Sequence, residues 1–438
     1  MKISQLKNKK IAIVGLGIEG MNTYLFLRKN FPQKKLVLAD KRTLSGFDDN
    51  IQKKLKKDKY LDLFLGSDYL KNLKDAEVVI KTSGMPLLSI SKFLARSAIV
   101  TSQIELFLDN CPSKIIAITG TKGKSTTSSI IYSMLKEAKI KTYLLGNIGT
   151  AALSFLEKVK KTDIVVLELS AHQLYSLKKS PDISIFLNIY PEHLDYYKDF
   201  KEYFLAKANI ALHQKKNDYF IYNPEMKEIK SLAKKVISKK IPIDPKKFKN
   251  EIKKINQNNI THDFNIAAIL ELAKILKIPN DTIEKTFRRF KPLAHRLEFI
   301  GEYKGIRFYD DSIATIPEAV IFALDTLGPD VETLIAGGLN RGIKFDKIAK
   351  RIINSNIKNL ILFPDSGIEI RKEIENIGKR KDLIFFETQD MEKAVDFAFK
   401  NTQRGNICLL SPASPSFNLF KDYQERGNAF KKEITNNK

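Results

Sequence analysis

No apolar stretch in these 438 residues approaches the roughly 18 uninterrupted positions a helix needs to cross a bilayer. The longest early run, Ile11 to Ile18, is broken by Gly15 and Gly17, so the chain reads as neither membrane-spanning nor signal-bearing. Cysteine is nearly absent: Cys111 and Cys408 stand far apart, which excludes a disulfide framework or a zinc cluster and suits a reducing cytoplasm. Arginine is also scarce. The formal charge is +25, yet only 13 of the 75 basic residues are Arg, the side chain best suited to phosphates and bases. Lysine and asparagine runs at Lys53 to Lys59, Lys234 to Lys240 and Lys246 to Asn259 therefore read as solvated surface, and no nucleic-acid partner is expected. Glycine and proline are scattered, as in a globular chain, and no short repeat is present.

The length suggests about two to four domains. Short β-rich runs, Gly-containing turns and helical stretches alternate throughout, the pattern of parallel α/β units. The first segment carries runs at Ile11 to Val14, Lys35 to Ala39, Glu77 to Ile80 and Ala98 to Val100. The second carries Lys114 to Ile118, Asp163 to Leu167, Ile183 to Leu187 and Tyr219 to Tyr222, then a helix from Phe264 to Leu276. The third carries Ile306 to Tyr309, Thr333 to Ala336, Leu360 to Phe363, Leu383 to Phe386 and Ile407 to Leu410. The expected fold is α/β in three domains: a Rossmann-like domain over 1–106, a P-loop-type domain over 107–292, and a doubly wound α/β domain over 293–438.

Three motifs carry chemistry. Gly15-Leu-Gly-Ile-Glu-Gly20 follows the first strand and opens a helix, and Asp40 ends the second strand. This is the dinucleotide fingerprint in its proper context: one glycine for the turn, one for diphosphate approach, one for helix packing. Alone it says a nucleotide-like ligand, with NAD the default, or merely a tight turn. Thr119-Gly-Thr-Lys-Gly-Lys-Ser-Thr126 also follows a strand. Ile118 occupies the place of the usual first glycine, but the Gly-Lys-Ser core still offers Lys124 to terminal phosphates and the Ser125 hydroxyl to Mg²⁺. Glu168 ends a strand that a parallel sheet would bring beside this loop, as a Mg²⁺ ligand or a buried structural acid. His193, one of five histidines, follows another strand within Asn188-Ile-Tyr-Pro-Glu-His-Leu-Asp195, and is read as a metal or substrate contact.

Together these residues resemble the Mur ligase family, ATP-dependent enzymes that add amino acids to the peptidoglycan precursor. The loop signature stands here as Gly120-Thr-Lys-Gly-Lys-Ser125, joined by Glu168 to Leu174, His295-Arg-Leu-Glu298 and Asp310-Asp-Ser312. Ile104-Glu-Leu-Phe107, Ser411 to Phe417 and Gln424-Glu-Arg-Gly427 are most similar to members that add D-glutamate to UDP-N-acetylmuramoyl-L-alanine. The resemblance implies that Gly17, Ile18, Asp40, Lys41, Arg42, Ser83 and Asn147 hold the UDP-sugar rather than NAD. It implies that Gly120, Thr121, Lys122, Gly123, Lys124, Ser125, Thr126, Asn265, Arg296 and Asp311 surround ATP. Two Mg²⁺ would involve Ser125, Glu168, His193 and Lys207, with Lys207 carbamylated. Lys124, His193 and Lys207 would act in catalysis, and Thr315, Arg341, Ser416 and Tyr423 would take the amino acid. A cytoplasmic monomer is expected.

The sequence also departs from the pattern. Asp311-Ser-Ile-Ala-Thr-Ile-Pro317 has Ile313 where such ligases commonly carry a lysine; Arg341 stands near the place of another family lysine. Thr261-His-Asp-Phe-Asn265 alters a second motif, leaving Asn265. These changes open the alternative of L-glutamate. The rivals are an NAD-linked dehydrogenase, which leaves Thr119 to Thr126 without purpose, a nucleic-acid binder, and a silent relative, against which Lys124, Glu168, His193 and Lys207 argue.

Overall fold

The computed structural model describes residues 1–147, 151–193, 196–256, 261–291, 293–378 and 380–437. Leu194 and Asp195 of the His193 motif, residues 257–259 of the Lys/Asn run, and the expected domain ends at 292 and 438 lie outside the described residues. Three sheets form. The first contains β1 (Ile11–Val14), β2 (Leu36–Asp40), β3 (Leu61–Leu65), β4 (Val78–Lys81) and β5 (Ile99–Thr101). Its order is β3-β2-β1-β4-β5, all parallel. The second contains β6 (Lys114–Thr119), β7 (Thr142–Gly146), β8 (Ile164–Glu168), β9 (Ile183–Phe186), β10 (Tyr219–Tyr222) and β11 (Lys239–Pro242), ordered β11-β10-β9-β6-β8-β7 and again parallel. The third contains β12 (Glu298–Tyr303), β13 (Ile306–Asp310), β14 (Val331–Gly337), β15 (Asn359–Phe363), β16 (Ile384–Glu387) and β17 (Ile407–Leu410). Its order is β12-β13-β17-β14-β15-β16, parallel except for the antiparallel β12–β13 pair.

The pattern of burial explains which runs were legible. Strands β1, β4, β8, β9, β14, β15 and β17 are buried at every position, as parallel strands covered by helices on both faces must be. The six edge strands β3, β5, β7, β11, β12 and β16 keep exposed or half-exposed positions. Lys239 and Lys240 form part of β11, where charge on an open edge discourages pairing with another chain.

Packing yields two compact units: Met1–Tyr190 with Asp199–Phe290, holding the first two sheets, and Pro191–Lys198 with Lys291–Lys438, holding the third. Beside the second sheet, the helices Lys124–Glu137 and Asp263–Leu276 share a core of Ile116, Ile118, Ile130, Ile131, Ile185 and Ile266. That core anchors the helix behind the Lys124 loop. Among the described residues no helix is long and apolar enough to cross a membrane.

Candidate active site

The order β3-β2-β1-β4-β5 places a topological switch between β1 and β4, where open parallel sheets receive ligands. Gly15 leaves β1 with φ +87°, and a Cβ built there would lie 2.2 Å from Thr82 Oγ1; one on Gly20 would lie 1.8 Å from the Gly15 carbonyl. Neither position tolerates a side chain. Gly17 caps the helix Ile18–Asn30, and a side chain there would meet nothing within 4 Å. The start of this helix is thus uncrowded at Gly17, where helix-start amides offer donors to an anion. Asp40 is buried and accepts hydrogen bonds from Leu16 N at 2.6 Å and from Arg42 N, Nε and Nη2 at 2.9, 3.0 and 3.1 Å. Burial pushes this carboxyl up, but the Arg42 and Leu16 bonds outweigh it and hold the group below the usual carboxylate range. Arg42 also lies 4.1 Å over the Phe47 ring. Lys41 and Ile18 are exposed. Ser83, after β4, donates through N and Oγ to Glu19 Oε2 at 2.9 and 2.7 Å, while Gln173 Nε2 donates to Glu19 Oε1 at 2.8 Å. Glu19 was missed in the sequence, although an acid in a helix's first turn was the available signal.

In the second sheet the loop Gly120 to Thr126 joins β6 to the helix Lys124–Glu137. Gly123 has φ +82°, and its missing Cβ would come within 2.6 Å of Asn265 Nδ2, which itself donates to Thr261 Oγ1 at 2.8 Å. Asn265 thus packs on the loop at Gly123, where a side chain would displace it. Asn188, two residues past β9, clamps the loop, accepting from Lys122 N at 2.8 Å and donating to Lys122 O at 3.0 Å. Lys124 Nζ donates to the carbonyls of Gly120 and Thr121 at 3.0 and 2.9 Å. Lys207, only 1% exposed, donates to the Gly120 carbonyl at 2.9 Å and sits 4.9 Å over the Tyr203 ring. Ser125, half-buried, is the helix's second residue, and Thr126 is buried behind it.

Glu168 closes β8, the neighbour of β6. It is 1% exposed, Oε1 accepts from Asn147 Nδ2 at 2.8 Å, and Oε2 is buried with no hydrogen-bond partner among the described residues. An orphaned buried carboxylate oxygen beside a phosphate-type loop fits a hard divalent cation. Asn147, expected among the UDP-sugar contacts, is held here by Glu168, and its backbone N–H also donates to the Glu168 carbonyl at 2.9 Å.

The remaining candidates lie in the unit of the third sheet. Thr315 Oγ1 donates to Glu192 Oε1 at 3.3 Å, and Arg341 Nη1 lies 3.4 Å from His193 Nδ1. His193 adopts φ +59°, an uncommon conformation for a side-chain-bearing residue. Arg341 also stacks 5.6 Å over Phe417. Asp311 is buried and accepts from Ser411 Oγ at 2.8 Å and Leu297 N at 3.2 Å. Burial pushes its pKa up to about 7, against the Ser411 bond and the Arg296 charge. Half-buried Arg296 follows His295, whose Nδ1 pairs with Asp310 Oδ2 at 2.6 Å. Ser416 is buried, and Tyr423 opens the helix Tyr423–Asn436, its carbonyl accepting from Ser312 Oγ at 2.8 Å.

Fold and loop together define a nucleotide-dependent α/β enzyme. Residues 118–288 match the family described as Mur ligase middle domain, and residues 295–414 match Mur ligase, glutamate ligase domain. The chain belongs to the Mur ligase family. It is 33% identical, over 98% of its length and 97% of the relative's, to a protein of Clostridium tetani named UDP-N-acetylmuramoylalanine–D-glutamate ligase. It is 35% identical to one of the same name from Acetivibrio thermocellus, covering 99% of this chain and 97% of that one. The fold is shared with the MurF ligase of Thermotoga maritima, solved in complex with ADP, at TM-score 0.59 and 17% identity over 100% of this chain and 98% of that chain. The NAD-linked alternative finds no support among these relatives.

Proposed function

We propose that this chain joins D-glutamate to the L-alanyl carboxylate of UDP-N-acetylmuramoyl-L-alanine, cleaving ATP to ADP and phosphate, as a cytoplasmic step of peptidoglycan synthesis. The observation that carries the chemistry is the Glu168 oxygen without a partner among the described residues, beside the Gly120–Thr126 loop whose Gly120 carbonyl accepts from Lys124 and Lys207. The substrates rest on the shared name of the full-length relatives, and the compartment on two free cysteines, Cys111 and Cys408. In this reading the loop amides and Lys124, released from the Gly120 and Thr121 carbonyls, take the terminal phosphates, with Asn265, Arg296 and Asp311 as further ATP contacts. The substrate carboxylate attacks the γ-phosphorus, ADP leaves, and the acyl phosphate forms. The neutral amine of glutamate then adds to the carbonyl carbon and phosphate departs, leaving the amide.

Ser125 and Glu168 would hold one Mg²⁺, with His193 and Lys207 the candidates for another, and the metal would offset charge on the transferring phosphoryl group. A cationic lysine repels a metal, whereas a carbamate, formed when the neutral Lys207 amine bonds to CO₂ and loses a proton, presents an anionic oxygen. The UDP-sugar would occupy the Gly17 turn with Ile18, Asp40, Lys41, Arg42 and Ser83, Asn147 contributing from beside Glu168. Thr315, Arg341, Ser416 and Tyr423 would receive glutamate. The domain division at 1–106, 107–292 and 293–438 belongs to the same reading.

The experiment is phosphate release from Mg-ATP and UDP-N-acetylmuramoyl-L-alanine with D-glutamate or L-glutamate, each with and without bicarbonate. Release with D-glutamate, stimulated by bicarbonate, is expected. Ile313 at the place of a family lysine favours keeping the L-glutamate arm, and release with that enantiomer alone would change the substrate and keep the ligase. Bicarbonate-independent rates in CO₂-depleted buffer would remove the carbamate.

A further inference from the structure

Arg426 lies on the helix Tyr423–Asn436 and is 1% exposed, among the largest fully buried side chains of the molecule. A guanidinium so placed is ordinarily paired with a carboxylate. Among the described residues its bonds go only to neutral oxygens: Nε to Ser312 Oγ at 3.0 Å, Nη2 to Ser312 O at 2.8 Å and to Ser414 O at 3.1 Å. Nη1 has no hydrogen-bond partner among the described residues. Asp310, whose charge acts on it, is committed elsewhere: Oδ2 to His295 Nδ1, with Lys431 Nζ 3.7 Å away, and Oδ1 to Ser312 N at 2.9 Å. Burial pushes the Arg426 pKa down to about 9, so it remains a cation at neutral pH.

The segments it touches converge on one task. Ser312 precedes Thr315 by three residues, and Ser414 precedes Ser416 by two. Nη1 faces Gly338, three residues before Arg341: a Cβ on Gly338 would lie 3.1 Å from Nη1 and 2.3 Å from the Pro415 carbonyl. Tyr423 stands one turn earlier on the same helix. Ser416 Oγ is itself buried and without a hydrogen-bond partner among the described residues. One side chain thus braces all four segments that carry the amino-acid candidates, and brings to them a buried positive charge that no carboxylate hydrogen-bonds among the described residues.

We propose that Arg426 is the positioning residue of the amino-acid site, bracing the walls that hold Thr315, Arg341, Ser416 and Tyr423 and supplying a fixed charge for which the incoming dicarboxylic amino acid is the missing counter-ion. This rests on the glutamate-ligase reading above. The test is steady-state kinetics of the full chain carrying Arg426→Lys or Arg426→Gln, with KM for D-glutamate and KM for ATP measured in each, thermal melts alongside. The glutamate KM rises in the order wild type, Arg426→Lys, Arg426→Gln, reaching about tenfold or more in the neutral variant, while the ATP KM stays within about twofold. A merely structural role would move both constants together. Parallel rises in both constants, or a glutamate KM in folded Arg426→Gln within about twofold of wild type, overturn the proposal. If Arg426→Gln does not fold, Arg426→Lys decides alone, because lysine keeps the charge but not the three-way brace and must still raise the glutamate KM selectively. A wild type silent with glutamate overturns both readings; an active wild type with unselective variants overturns only this one.

Discussion

Replacing Glu168 with Gln should make the metal-free protein more stable and the enzyme nearly inactive. The carboxylate is 1% exposed, and among the described residues it receives a hydrogen bond from Asn147 and leaves Oε2 without a partner. An unpaired buried charge costs several kcal/mol even after relaxation, whereas the amide replacing it leaves one buried N–H group short of an acceptor, about 1–3 kcal/mol. The difference favours Glu168→Gln by about 1–2 kcal/mol without metal. Function moves the other way, since losing a ligand to a cation that neutralises phosphate charge removes several kcal/mol from the barrier's stabilisation, lowering turnover about 10²-fold or more. The assay pairs thermal melts in EDTA and in Mg-ADP with phosphate release. Wild type should gain stability from Mg-ADP and the variant much less. A variant that melts below wild type in EDTA would make Glu168 an ordinary structural acid. One that keeps turnover within tenfold would remove it from the metal site.

Lys124→Ala should abolish phosphate release while leaving the affinity for the UDP-sugar, read by calorimetry, within about twofold; unchanged turnover would dismiss the loop as the ATP site. Gly123→Ala must carry a side chain at φ +82° and push Asn265 Nδ2 from 2.6 Å, so it should lose about 2 kcal/mol of stability and raise the ATP KM. Adding Asn265→Ala should recover part of that stability in urea melts, and strict additivity would deny the contact. Burial raises the Asp311 pKa from 3.8 to about 7, so between these values the native state keeps a proton the unfolded chain has released. The stability this group contributes therefore falls as pH rises through that window. Asp311→Asn should gain on wild type from about pH 4 to about pH 7 and level off above; a gain that shrinks with pH would reverse the assigned sign.

The strands legible in the sequence share a physical cause. Ile11 to Val14, Tyr219 to Tyr222 and Ile407 to Leu410 were read with their observed limits, each an apolar run ended by a turn or a polar segment. The four strands left unread, β3, β7, β11 and β12, are all edges. One face or one side of each meets solvent, so their sequences carry polar residues, as in Leu61-Asp-Leu-Phe-Leu65 and Lys239-Lys-Ile-Pro242, that blur the signal. Motif and resemblance single out Lys124, Glu168 and Lys207 as candidate site residues. Glu19 and the Asn188 clamp are not singled out, because their work consists of bonds to residues 64 and 66 positions away.

What the sequence determined by itself was local: glycines where φ must be positive or a backbone must pass closely, helix starts that offer amides, and apolar runs long enough for a strand buried on both faces. Those properties depend on a residue and its near neighbours, so a linear reading recovers them. Only the tertiary structure decided the order of strands, the burial of Lys207, the pairing of Asn147 with Glu168 and the isolation of Arg426. A buried polar group is satisfied or left wanting by partners anywhere in the chain, as Arg426 is by Ser312, 114 positions away. Whether a charge still lacks its counter-ion is settled only when every neighbour is in place.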